Sequence, residues 1–146
     1  MIRSLLETEI RQLQKQQEWL ERSYLECLHI GIKPSYTYEE FGKFETLCSR
    51  FGRGIDFLVR KLYRTLDIFE FEEPGSLIDT VNRAAKRGLV DDIETLRLMK
   101  DIRNTLVHEY VEEALQELFE EVLTHTPHLL TLMRRALQYS RDTLAL

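Results

Sequence analysis

Residues 37–69, TYEEFGKFETLCSRFGRGIDFLVRKLYRTLDIF, decide the fold. Phe41, Phe44, Cys48, Phe51, Ile55, Leu58, Leu62 and Leu66 recur at intervals of three and four residues. That is the period of an amphipathic helix with one buried face. Thr37 followed by Glu40 fits a capping box at its start. The turn Glu72-Glu73-Pro74-Gly75 places its end near Phe69. Gly52 and Gly54 each lower helix propensity by up to about 1 kcal/mol relative to Ala. They suit either a bend or a close contact with another helix.

The same period extends in both directions. Upstream, Leu6, Ile10, Leu13, Gln17, Leu20, Tyr24 and Cys27 mark a helix from about Ile2 to His29, close to a heptad seam. Gly31 and Pro34 end it. Downstream, Ser76 caps a short helix that Gly88 stops. Asp91 and Glu94 suit the positive end of a helix whose apolar face is Ile93, Leu96, Met99, Ile102 and Leu106. A further helix spans about Glu112 to Leu123. Thr126-Pro127 reads as an N-cap and first-turn proline opening a last helix. No alternating apolar run is long enough for a strand. The expectation is an all-α, antiparallel bundle of about five to six helices, in one domain covering residues 1–146.

Composition agrees with a packed soluble domain: 43% of the 146 residues are hydrophobic and 31% charged. There is no apolar run of membrane-spanning length and no secretory leader, so cytoplasmic residence is expected. Cys27 and Cys48 are isolated, which argues against a disulfide framework or a structural zinc site. His125 and His128 flank Pro127 without an evident third ligand, so no metal or other cofactor is expected. The net charge of −5 disfavours a general nucleic-acid binder, but the charge is uneven. Arg50, Arg53, Arg60, Lys61 and Arg64 surround a single acid, Asp56, whereas residues 109–124 hold six acids and no Lys or Arg. A local basic surface remains open to a polyanion, and both stretches also read as solvated helix faces.

The chemistry concentrates in Lys100-Asp101-Ile102-Arg103-Asn104-Thr105-Leu106-Val107-His108-Glu109-Tyr110. Arg97, Asp101, Asn104 and His108 share one helix face, opposite Ile102 and Leu106. From that position Asn104 is expected to reach the His108 imidazole and fix its tautomer. Arg103 lies roughly 140° round the helix from His108 at about 100° per residue. The two meet at one ligand only if the chain bends near Leu106 or a second copy completes the site. On spacing alone, a capping or surface role comes ahead of catalysis for this set.

Arg103 to Tyr110 also matches R-x4-H-x-Y, with Asn in second place. In this the chain resembles the HepT-like proteins of the HEPN superfamily, and the helical pattern is similar from about Glu39 to Tyr139. The resemblance implies a homodimer that cuts RNA without a metal, with Arg103 and His108 catalytic. Asn104 and Asp101 would support the site. It also implies an MNT-type nucleotidyltransferase antitoxin as partner, which transfers AMP to Tyr110 and silences the toxin. The chemistry is coherent: an imidazole exchanges a proton near neutral pH, and a guanidinium stabilises charge growing on phosphate oxygens. An alternative is a non-catalytic, substrate-binding partner of a small nucleotidyltransferase, for which the acidic run is the better docking surface. A third is a structural bundle associating through the seam of the first helix.

Overall fold

The computed structural model describes residues 1–73, 75–109 and 111–145. It is an all-helical bundle: α1 (Ile2–Ile30), α2 (Tyr38–Phe57), α3 (Tyr63–Phe69), α4 (Leu77–Lys86), α5 (Ile93–His108) and α6 (Glu112–Leu144). Among the described residues there is no strand. No helix among them is long and apolar enough to cross a membrane.

The α2 helix starts where its sequence says it should. The Thr37 hydroxyl accepts from the Glu40 amide, and the Glu40 carboxylate accepts from the Thr37 amide. The chain then runs without a break through a π-helical segment, Leu58–Leu62, into α3. The wider turn lets Leu58, Val59, Leu62, Tyr63 and Leu66 all be buried, while Arg60 and Lys61 stay outside. One hydrophobic cluster joins all six helices. Full burial of an aliphatic or aromatic side chain is worth about 1.5–3 kcal/mol. Phe44, Phe51, Ile55, Leu129 and Met133 are fully buried in it. At the end of the bundle near the α2 N-terminus, Phe44 stacks on Phe119 with centroids 4.7 Å apart, and Tyr36 and Phe41 meet the same ring edge-on.

Gly54 sets how closely α2 and α6 approach. A Cβ there would lie 2.5 Å from Met133 Cε and 3.3 Å from Leu129 Cδ2. Gly52, on another side of α2, meets the Arg103 side chain of α5, with only 3.3 Å left for a Cβ against Arg103 Cγ. Of the two roles open in the sequence, close contact is the one both glycines have.

The chain differs from expectation after residue 111. One helix of 33 residues replaces the two expected, with Pro127 inside it. Thr126 is buried mid-helix, its hydroxyl donating to the Val122 carbonyl (2.6 Å), so it is not an N-cap. An interior proline costs about 3 kcal/mol. Burial of Val122, Leu129 and Leu130 on the face that spans it outweighs that cost.

Two carboxylates are buried among the described residues. Asp67 is 3% exposed and accepts from Arg87 Nη1 (2.6 Å) and Arg83 Nη1 (3.3 Å), tying α3 to α4. Removing one partner of a buried charge pair typically costs about 3–5 kcal/mol. Asp67→Ala is therefore expected to lose stability of that order in urea unfolding; a change under about 1 kcal/mol would show that the pair contributes nothing net.

Glu9 is 5% exposed, and its Oε1 has no hydrogen-bond partner. Burial raises its pKa, opposed in part by the Thr65 hydroxyl and the Lys61 ammonium. A carboxyl raised in the folded state stabilises most when protonated, and that contribution is lost as pH rises through the folded pKa. Glu9→Gln should raise the thermal midpoint at pH 7 and converge with the parent as pH falls below the ordinary carboxylate range. Parallel curves at all pH values would contradict this.

Candidate functional site

The site is built on α5, whose start is fixed at both the backbone and the side-chain level. Asp92 is its N-cap: Oδ1 accepts from the Glu94 amide (3.0 Å) and Oδ2 from the Thr95 hydroxyl (2.7 Å). Those two donors, Thr95 foremost, hold its carboxyl below the usual range. Asp91 instead pairs with Arg135 of α6 at 2.6 Å. Leu96, Met99 and Ile102 bury one face of α5. Arg97, Asp101, Asn104 and His108 are all exposed, as the spacing of the polar stripe requires.

Arg103 lies outside that stripe and faces α2. Asp56 Oδ2 accepts from its Nε (3.0 Å) and its Nη2 (2.7 Å). Nη1 remains, and it donates to Asn104 Oδ1 at 3.2 Å. Beside this pair a groove of about 380 Å³ opens between α2 and α5, bordered by Gly52, Arg53, Asp56, Arg103, Leu106 and Glu109. Gly52 has no side chain to fill the space Arg103 occupies. Cys48 also borders the groove, but burial foremost pushes its thiol up to about 12, so a thiolate nucleophile is not at hand.

His108 does not border this groove. The α5 helix is continuous from Ile93 through Leu106 to His108. Within one chain Arg103 and His108 therefore serve different sides of the helix. The expected Asn104–His108 hydrogen bond is absent among the described residues, and the Asn104 amide oxygen instead accepts from Arg103. Asp101 contributes its backbone carbonyl to the Thr105 hydroxyl (3.0 Å) and leaves its side chain in solvent. Tyr110 lies outside the described residues. Glu109, just after α5, accepts from the Val111 amide (3.0 Å) at the start of α6.

Sequence reading missed Asp56 as a partner of Arg103. Its one signal was being the single acid within a basic stretch. Among the described residues, no group of three or more His, Cys, Asp or Glu is arranged to hold a metal ion. Comparison with family models, curated proteins and solved structures returned no match.

The Asp56–Arg103 pair is partly exposed, at 32% and 27% of the two side chains. Such pairs are worth about 0–1 kcal/mol. A double-mutant cycle of Asp56→Asn and Arg103→Gln is expected to give a coupling in that range, with the fold retained in all variants. A coupling above about 2 kcal/mol would make Arg103 a structural residue first.

Proposed function

We propose that this chain is a HepT-like HEPN domain acting as a homodimer that cuts RNA without a metal. In this reading Arg103 and His108 are catalytic, and Tyr110 is the acceptor of AMP from an MNT-type nucleotidyltransferase. The observation that carries the reading is the division of Arg103 and His108 between two faces of one continuous helix. Arg103 borders a groove shared with Arg53, and His108 stands exposed at the helix end. Each chain thus offers two half-sites, and a two-fold arrangement supplies what one chain lacks.

The chemistry needs no further group. A ribose 2′-hydroxyl loses its proton to one imidazole and attacks the adjacent phosphorus. The P–O5′ bond breaks, and a second imidazole returns a proton to the leaving oxygen. The products are a 2′,3′-cyclic phosphate and a 5′-hydroxyl. Arg103 Nη1, outside the Asp56 pair, is the atom free to turn from Asn104 toward a phosphate oxygen. An AMP group on Tyr110, two residues after His108, would add a phosphodiester charge and block access.

A second reading is a non-catalytic partner of the nucleotidyltransferase. It is favoured by Glu112, Glu113, Glu117, Glu120 and Glu121, all exposed on the first turns of α6. That surface repels RNA and suits a basic protein.

Purified protein in EDTA should cut structured RNA, and His108→Ala and Arg103→Ala should each be slower by about 10²–10⁴-fold, the usual range for losing such a group. Cutting at the parent rate by either variant would end its catalytic assignment. No cutting by a folded parent dimer with unmodified Tyr110 would move the assignment to the second reading. With the nucleotidyltransferase and ATP, Tyr110→Phe should cut RNA and gain no mass; AMP found on another residue would remove Tyr110 from the scheme.

A further inference from the structure

Trp19 of α1 is 51% exposed, which is unusual for the largest side chain in the protein. The Arg50 guanidinium of α2 lies over its ring, 4.8 Å from the centroid. Arg50 is held there through Nη1, which donates to the Trp19 carbonyl (3.0 Å) and the Ser23 hydroxyl (2.6 Å). Lys15, one turn before Trp19, reaches 5.9 Å from the ring centroid and 4.0 Å from Glu18. Arg53 completes the cluster, its Nη2 donating to the Ser49 hydroxyl. Neither Arg50 nor Arg53 is paired with a carboxylate among the described residues. Lys15, Gln16, Trp19, Arg50 and Arg53 border a pocket of about 200 Å³. Arg53 also borders the Arg103 groove, so the two depressions share a wall.

We infer that Trp19, Arg50 and Arg53 form a subsite for one nucleotide of single-stranded RNA, next to the Arg103 groove. This rests on the RNA-cutting reading above and extends it to the strand beside the cut. An exposed indole offers a flat face on which any base stacks, and a guanidinium plane offers a second. The two arginines, neither facing a carboxylate among the described residues, meet the flanking phosphates. Arg53, common to both depressions, would carry the backbone from one to the other. An acidic peptide would satisfy the charges but not the ring, which is why RNA is the occupant these residues favour.

Trp19 is the single tryptophan of the chain, so its emission reports this subsite alone. The probe is a 2′-O-methyl oligouridine, which lacks the attacking hydroxyl, titrated into the full-length protein. Binding is followed in parallel by anisotropy of an end label. The expected result is quenching of Trp19 emission along the same isotherm, in the parent and in His108→Ala. An abasic oligomer of equal length should bind more weakly and quench little. Trp19→Ala should weaken oligouridine binding on the order of tenfold, and Trp19→Phe should recover most of it. Binding with unchanged emission would overturn the subsite while leaving RNA cutting intact. Equal quenching by the abasic chain or by polyglutamate would also overturn it, in favour of a charge-reading or protein-docking surface. No binding by anisotropy would overturn it whatever the cleavage assay gives. Quenching by oligouridine without cleavage of any RNA would keep the subsite and remove the nuclease.

Discussion

A Cβ at Gly54 would sit 2.5 Å from the Met133 methyl group, and one at Gly52 would sit 3.3 Å from the Arg103 stem. These two bare positions, on different sides of α2, fix how near α6 and α5 come to it. The approach at Gly54 closes the core around Phe51, Ile55, Leu129 and Met133, where packing is dense enough that a single added methylene is felt. The approach at Gly52 brings Arg103 within reach of Asp56, on the next turn of the same helix. Core depth and the position of the candidate guanidinium are thus two outcomes of one constraint on α2.

That arrangement leaves Arg103 well oriented and electrically compensated. Two of its nitrogens face a single carboxylate oxygen, so the charge presented to the groove is smaller than that of an unpaired arginine. The rest of the charged lining is Arg53, which has no carboxylate partner among the described residues, against Glu45 and Glu109. Glu109 also borders a separate acidic depression, of about 490 Å³, lined by Glu117, Glu120 and Glu121 of α6. A polyanion approaching this part of the surface is steered toward the α1–α2 side, where Arg50 and Arg53 are.

Much of the fold was legible because the apolar residues keep a strict helical period. The α1 and α2 stripes, the Thr37 capping box, the Ser76 cap and the stop at Gly88 all appear where local chemistry put them. Pro127 was misread because proline chemistry is local, whereas the burial that carries the helix across it is tertiary. The π-helical segment left only the successive four-residue spacing of Leu58, Leu62 and Leu66, which ordinary helices also show. At the site, the stripe of Arg97, Asp101, Asn104 and His108 follows from helix geometry alone. The Arg103–Asp56 pair spans 47 positions of sequence, and no spacing rule reaches that far.

Pro127 has no amide hydrogen, so the Leu123 carbonyl lacks its usual partner one turn on, and α6 is joined there by one fewer backbone bond. Burial is unequal on the two sides. Leu118, Phe119, Val122 and Thr126 are buried before the proline, against Leu129, Leu130, Leu132, Met133, Ala136, Leu137, Ser140 and Leu144 after it. The first half can therefore open at a lower free energy than the second, as a separate cooperative unit in amide exchange. Leu115, which borders the Arg103 groove, belongs to that first half. The mouth of the groove is thus tied to the less buried part of α6, and a change in its width would also disturb the Phe119–Phe44 stack at that end of the core.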